Sequence, residues 1–445
     1  MKKYKKIVIL DSVILYPEHR YRLEQLADEI VEYNTCTSEE EVLERVSGAD
    51  CIISCWVDIS NRVIDENPQL KTIAFWTHAY EHRIDKAYAE SHGIYVPCIP
   101  DYGTDSVAEL AIMGMLNVNG RMYHGEARGL DEELVSRTAN AIRCFEKNVR
   151  DNLTGHWIHE YVKTGKLKIT SPDFFAEDTM KGLTVGLMLS QDMLNNQLVQ
   201  MLSKGFKMNV IHCCCDISYT LDASFRPADE LIREARVLIY DSSLIKEDIR
   251  EKIACGSFIA AIDVKKIVCG GRSLKGRTLG VIGLGRIGTR VAQIAKEGFG
   301  MDVHYYSRTR KPELEEKYGL KYRPIEEVLS SSEYLSFHLP HVGAEDFVTA
   351  QMIDLIPPGT VVVNVSVGNI FMDQAYFFNR FRDKDLKGYV DVYKTMPPRP
   401  ILREKKDFLL STYRLGWRTK STIGLKTHKL ITKLGMESPN VITDH

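Results

Sequence analysis

Through the first hundred residues, short apolar runs alternate with mixed polar segments. Lys6–Leu10, Asp50–Ser54, Lys71–Trp76 and Gly93–Cys98 read as strands, and Tyr16–Tyr33, Ser38–Val46 and Lys86–His92 as helices. Strand-length apolar runs separated by helical periods are the signature of a parallel sheet with crossover helices. From about Asp105 to Arg121, and on towards Asn148, the period is helical, broken near Gly125 and Gly129. That length suits a connector or an arm against a partner subunit. The Trp157 and Tyr161 region then leads into a polar link ending at Asp178.

Beyond it the pattern repeats. Lys181-Gly-Leu-Thr-Val-Gly-Leu-Met188 matches Lys275-Gly-Arg-Thr-Leu-Gly-Val-Ile282, 94 residues on. Gly205-Phe-Lys-Met-Asn-Val210 matches Gly298-Phe-Gly-Met-Asp-Val303, 93 residues on. A looser match pairs Pro227–Leu238 with Pro324–Leu335. Self-similarity at this spacing predicts an internal duplication of a nucleotide-binding half, about 180–270 and 273–375. The triplet Cys213-Cys214-Cys215 lies at the end of the first copy's second strand. Adjacent residues of a strand point alternately, so these thiols read as small buried side chains rather than a metal site.

The second copy carries chemistry that the first lacks. In Gly283-Leu-Gly285-Arg286-Ile287-Gly288 a strand precedes the glycines and a helix follows. Gly283 allows the tight turn, Gly285 lets the backbone approach a pyrophosphate, and Gly288 lets the helix lie close to the strand. The phosphate charge then meets the unpaired N–H groups of the helix start. The first copy has Leu189-Ser-Gln-Asp-Met-Leu-Asn-Asn196 at this point, which predicts side chains in the pyrophosphate space and a structural role as a dimerisation or lid module. After the next strand, His304-Tyr-Tyr306, comes Ser307-Arg308-Thr-Arg310. An acidic residue there would hold the adenosine ribose; two arginines instead suit a 2′-phosphate, so NADP is favoured over NAD. Further strands are expected at Tyr334–Leu339, ending at Pro340, and at Val361–Val365.

Composition narrows the class. The 58 Lys and Arg against 60 Asp and Glu give a net charge of -2, which argues against a dedicated nucleic-acid binder. No run approaches the roughly 18 apolar residues of a membrane span, and the start reads as a first strand rather than a signal peptide. Ten cysteines without framework spacing suit a reducing cytoplasm. No metal site is expected.

With these residues in place the chain resembles the D-isomer-specific 2-hydroxyacid dehydrogenases. The resemblance rests on Asp85 in His82-Arg-Ile-Asp85, Ser106-Val-Ala-Glu109, the glycine loop, Tyr305–Arg310, His338-Leu339-Pro340, Val363-Asn364 and Gly388–Tyr393, in the family's order. It covers nearly the whole chain apart from the inserted first copy. It implies an α/β fold, with a Rossmann-type nucleotide-binding domain, a flavodoxin-like substrate domain and an inserted degenerate Rossmann-like repeat. The expected division is 1–120 for the first part of the substrate domain, 121–179 for a helical connector or arm, and 180–270 for the repeat. The NAD(P)-binding domain follows at 273–408, and 409–445 returns to the substrate domain. The expected cofactor-binding residues are Gly283, Gly285, Arg286, Ile287, Gly288, Ser307, Arg308, Arg310, Leu339, Pro340 and Asp391.

The resemblance also implies an arginine that grips the substrate, a histidine acid/base and a glutamate that tunes the histidine. Here Val367, Arg414 and Met396 respectively stand at those positions. The glycine turn ahead of Asp85 has His78 and Tyr80 instead. Two readings follow. In one, the protein is an atypical NAD(P)-dependent oxidoreductase acting on a carbonyl, imine or alcohol outside the usual substrates. Arg414 then binds an anion or polarises a carbonyl, and the acid/base is His78, His82, Tyr413 or Tyr393, with His78 favoured. In the other, the fold is a catalytically silent NAD(P)-binding sensor or scaffold. Both predict a cytoplasmic homodimer with a small-molecule ligand.

Overall fold

The structure is a computed structural model that describes residues 2–11, 13–33, 36, 38–78, 80–99, 101–120, 179–190, 196–213, 223–256, 258, 260–263, 273–393, 408–410, 415–417 and 419–436. These fold as two units. One holds the described residues up to Gly103 and from Trp417 onward, and the other holds those between Thr104 and Gly416.

In the first unit, β1 (Tyr4–Ile9), β2 (Ala27–Glu32), β3 (Cys51–Ser54) and β4 (Thr72–Phe75) form a parallel sheet in the order β2-β1-β3-β4. Single parallel bridges at Thr72 to Tyr95 and Phe75 to Cys98 continue it beyond β4. Helices Glu39–Val46 and Lys86–Ser91 stand where the pattern places them, each capped at its N-terminus, by Ser38 and Asp85. The single helix expected over Tyr16–Tyr33 is instead a helix, Pro17–Leu26, followed by the edge strand β2. The segment Ala-Asp-Glu-Ile-Val-Glu has too few apolar residues to declare a strand, and pairing with β1 decides it. The helix Lys420–Gly435 closes this unit, burying Ile423, Leu430, Ile431 and Leu434 in the same core as Tyr4, Ile7 and Ile9. Each such aliphatic contributes roughly 1.5–3 kcal/mol.

The second unit holds two parallel sheets. The smaller is β5 (Thr184–Met188), β6 (Asn209–His212), β7 (Ser224–Phe225), β8 (Val237–Tyr240) and β9 (Ala260–Asp263), in the order β7-β6-β5-β8-β9. The larger is β10 (Thr278–Ile282), β11 (Asp302–Tyr306), β12 (Lys321–Tyr322), β13 (Tyr334–Phe337), β14 (Val361–Asn364), β15 (Lys387–Val390) and β16 (Phe408–Leu410), in the order β12-β11-β10-β13-β14-β15-β16. The first five strands of each sheet run in the same order, and their registers correspond. Thr184 faces Asn209 as Thr278 faces Asp302, and Ile211 faces Ser224 as His304 faces Lys321. Val185 faces Val237 as Leu279 faces Tyr334, and Val237 faces Ala260 as Tyr334 faces Val361.

The helix Thr104–Gly120 belongs with this second unit, so the expected boundary at residue 120 moves to Gly103. Ala108, Ala111, Ile112, Met115 and Val118 are buried in one core with β10, β14 and β15. Gly114 is required where the helix crosses Tyr389, since a Cβ there would lie 2.7 Å from the ring. Asp105 binds Arg290 at 2.8 Å, and the Glu109 carboxylate accepts the N–H groups of Met180 and Lys181. Cys214, Cys215, the 121–178 connector, Met396, Tyr413 and Arg414 lie outside the described residues.

Candidate functional site

The glycine loop leaves the carboxyl end of β10, at the point where the strand order reverses. Ligands of open α/β sheets bind at such a switch point. Gly283 has φ +98, which suits glycine alone, and a Cβ there would lie 2.5 Å from the His338 carbonyl oxygen. A Cβ on Gly288 would lie 2.0 Å from the Gly283 carbonyl oxygen, so the helix Arg286–Gln293 can approach its strand only with glycine at this position. Gly285 differs from both. Its φ is -80 and no atom lies within 4 Å of where its Cβ would stand. The loop is therefore built with one open face at the helix N-terminus, with room for a pyrophosphate against the backbone. The residues fit a dinucleotide.

The neighbouring strand ends complete the crevice. The Leu339 N–H donates to Ser366 Oγ at 2.8 Å. His338 Nε2 lies 2.8 Å from Ser336 Oγ, while its Nδ1 is enclosed without a hydrogen-bond partner. Burial lowers this imidazole to about 3, so it is neutral at physiological pH. Asp391, 3% exposed, accepts from the Tyr389 hydroxyl at 3.1 Å and from the Gly416 N–H at 3.3 Å. Val367, where the resemblance implies the substrate arginine, is a half-buried residue packed against the apolar core beneath β13 and β14.

At the end of β11 the two arginines differ. Arg310 is bound on both sides of the Glu315 carboxylate, Nε at 2.8 Å and Nη2 at 2.7 Å. That pairing is the first cause holding Glu315 down at about 2. Ser307 turns its hydroxyl onto the Thr309 carbonyl oxygen at 2.6 Å. Arg308 is exposed beside them.

The first unit carries a second cluster at the carboxyl ends of its strands, which the sequence pattern does not disclose. Asp11, after β1, accepts the N–H groups of Cys55 and Trp56 at 2.7 and 2.6 Å. Burial raises its carboxyl to about 6 in spite of those two donors. Trp76 follows β4, and the 1% exposed Lys426 ammonium sits 3.4 Å from its ring centroid. The Tyr102 and Trp417 rings lie at 4.5 and 4.7 Å from the same nitrogen. Three aromatic faces stabilise the desolvated cation.

Of the expected catalytic groups, His78 is exposed with its ring 5.7 Å from Tyr102, and His82 is exposed in the turn before β-bridge residue Ile84. Tyr393 is half-buried against the core of the larger sheet. No helix among the described residues is long and apolar enough to cross a membrane.

The family description "D-isomer specific 2-hydroxyacid dehydrogenase, NAD binding domain" matches residues 247–413, and the description "catalytic domain" of the same family matches residues 7–239. Among curated proteins, glyoxylate reductase of Thermococcus litoralis is 43% identical over 102 residues, 22% of this chain and 30% of the relative. Glyoxylate reductase of Aeropyrum pernix is 42% identical over 101 residues, with the same two shares. The matched stretch thus spans under a third of these relatives' length.

Among solved structures, an acyclic imino acid reductase in complex with NADPH and D-Arg superimposes with a TM-score of 0.55 at 17% identity, covering 98% of this chain and 100% of that one. A Salmonella D-lactate dehydrogenase gives 0.53 at 14% identity, covering 97% and 96%. At such identities these structures speak to fold alone. An α/β Rossmann-type NAD-binding domain and a second α/β domain are the architecture this chain has. On the family match across 7–239 and 247–413, the chain belongs to the D-isomer specific 2-hydroxyacid dehydrogenase family.

Proposed function

We propose that the protein is an NAD(P)-dependent oxidoreductase that reduces a carbonyl or imine, or oxidises the corresponding alcohol or amine, outside the 2-hydroxy acids held in the family's usual pose. The observation that carries this reading is the glycine loop: Gly283 and Gly288 have no room for a side chain, while Gly285 faces open space. Gly285, Arg286, Ile287 and Gly288 would hold the pyrophosphate, and Leu339, Pro340 and Asp391 would border the nicotinamide side. A bound nicotinamide supplies or accepts the hydride. NADP is favoured, since Arg308 is exposed at the strand end where the adenosine ribose would lie and no carboxylate occupies that position.

The departure from 2-hydroxy acids rests on Val367, an apolar side chain half-buried against the core, which cannot pair with a carboxylate. His78 remains the favoured acid/base, with His82, Tyr413 and Tyr393 as the other candidates and Arg414 as the anion or carbonyl grip. Imines stand beside carbonyls and alcohols in the substrate class, and an acyclic imino acid reductase is among the proteins of similar fold. The sheet order β2-β1-β3-β4 supports a flavodoxin-like reading of the first unit. The matching registers of β5–β9 and β10–β14 support duplication of a nucleotide-binding half, with the first copy stripped of its loop.

A silent NAD(P)-binding protein is the second reading, favoured by the same Val367. The test is sequential. Reduced-nicotinamide fluorescence on titration with NADPH and NADH reports the cofactor site, and absence of binding to either refutes the proposal. Turnover of bound NADPH against a panel of 2-keto acids, aldehydes and imines then separates enzyme from silent binder. Robust reduction of pyruvate or glyoxylate with ordinary kinetics would refute the departure.

A further inference from the structure

The two sheets of the second unit meet through matched positions. Gly205 and Gly298 occupy the same place in the two copies, 93 residues apart, the offset that relates Gly205–Val210 to Gly298–Val303. They touch each other. A Cβ on Gly205 would lie 2.8 Å from the Gly298 Cα, and a Cβ on Gly298 would lie 2.9 Å from the Gly205 Cα. The other neighbours obey the same exchange. A Cβ on Gly205 would lie 3.8 Å from the Ile294 carbonyl oxygen and one on Gly298 3.6 Å from the Met201 carbonyl oxygen, and Met201 and Ile294 are again 93 residues apart. The next residues, Phe206 and Phe299, meet edge to face with ring centroids 5.9 Å apart.

Contacts between equivalent residues have one geometric cause. When two copies are related by translation or a screw, residue i of one meets some other residue of the next. Only about a two-fold axis does each residue near the axis meet its own counterpart, which defines an isologous interface. The Gly205–Gly298 contact marks such an axis inside one chain. Val199, Leu202, Phe206 and Met208 from one copy share a single buried core with Ala292, Ile294, Ala295 and Met301 from the other. The surface is therefore apolar and buried, as expected for a permanent contact.

We infer that the module at 180–270 stands where a second copy of the nucleotide-binding module would stand in a symmetric dimer, so the chain closes its own two-fold interface and is a monomer. An isologous surface is used once. The homodimer expected from sequence has no face left on this side of the fold. The module also has a task. The helix that starts at the glycine loop, Arg286–Gln293, runs directly into the turn Ile294–Gly298 that lies on the axis. The loopless copy thus braces the element that presents the pyrophosphate site, and one nucleotide serves each pair of modules.

Light scattering on the intact chain after size-exclusion chromatography tests this without any substitution. A single species of 50.7 kDa across a range of loading concentrations is expected. A species of twice that mass overturns the proposal. A second measurement locates the contact: Phe206→Cys with Phe299→Cys, treated with a short bis-maleimide, against the two single variants. The proposal expects a cross-link at monomer mass, mapped by peptide mass spectrometry and confined to the double variant. A covalent dimer, or no link between these positions, overturns it. Neither measurement involves nucleotide, so failure here is distinct from failure of the oxidoreductase reading.

Discussion

The glycine loop permits a prediction in which two neighbouring substitutions, each adding one methyl group, separate folding from binding. In Gly288→Ala the new Cβ would lie 2.0 Å from the Gly283 carbonyl oxygen, a backbone atom that cannot swing aside. Alanine would gain about 0.5–1 kcal/mol over glycine inside a helix, but overpacking of this kind costs about 1–3 kcal/mol and shifts the backbone. Net destabilisation of about 1–2 kcal/mol is expected, with nucleotide affinity lost because the loop moves. In Gly285→Ala the backbone at φ -80 accepts any residue, and nothing lies within 4 Å of the new methyl. Its stability should stay within about 1 kcal/mol of the parent, the cost of alanine at a helix N-cap. The methyl group nevertheless stands where a pyrophosphate would meet the backbone. NADPH affinity should fall at least tenfold, about 1.4 kcal/mol. Urea unfolding and nicotinamide fluorescence titration on the three proteins read the two quantities independently. If Gly285→Ala binds as tightly as the parent, the open face of the loop is not the pyrophosphate site, and the cofactor assignment fails with it.

Other outcomes follow from single side chains. Asp11 has its carboxyl raised from 3.8 to about 6, so the folded state holds a proton that the unfolded state releases over that window. Its contribution to stability is full below pH 4 and is lost as pH rises through 6, by about 3 kcal/mol; Asp11→Asn should flatten that part of the urea-stability profile, and parallel profiles would refute the assignment. Arg308→Ala should lower NADPH affinity more than NADH affinity, whereas Arg310→Ala, whose guanidinium is committed to Glu315, should change their ratio little; the reverse ranking in titrations would move the 2′-phosphate contact to Arg310. Glu109→Ala leaves the Met180 and Lys181 N–H groups without their acceptor and should cost about 2–4 kcal/mol in urea unfolding. An unchanged midpoint would mean that these donors find another partner.

What could be read from the chain alone depended on how local its cause was. The glycines at 283 and 288 are imposed by contacts a few residues away or on the adjoining strand, and the strand–loop–helix pattern around them is written in consecutive residues. The first and last residues of β1, β3 and β4 lie within two positions of their apolar runs. β2 escaped because Ala27–Glu32 is an edge strand with half its residues exposed, and only register with β1 distinguishes it from the end of a helix. The boundary near Gly103 escaped because the helix Thr104–Gly120 is apolar around most of its surface, and its packing against β14 and β15 is long-range. Asp11 and Lys426 were invisible for a related reason. Asp11 finds its donors 44 and 45 residues away, and the rings around Lys426 come from Trp76, Tyr102 and Trp417. A buried polar side chain looks like a surface one until its partners are known.

The helix Lys420–Gly435 gives the chain an order of assembly. Tyr4 at the start of β1 donates its hydroxyl to the Leu434 carbonyl oxygen, a span of 430 residues, and both lie in one core. During synthesis the sheet of the first unit leaves the ribosome before its covering helix, with the described strands of the second unit made in between. The second unit has all its strands in hand by Leu410 and can fold while the first is still uncovered. For about 17–70 s, at about 5–20 residues per second, Ile7, Ile9 and Trp76 lack their apolar cover. That interval exists because the covering helix follows Trp76 by more than 300 residues. A circular permutant that joins the covering helix directly to β1 would abolish it.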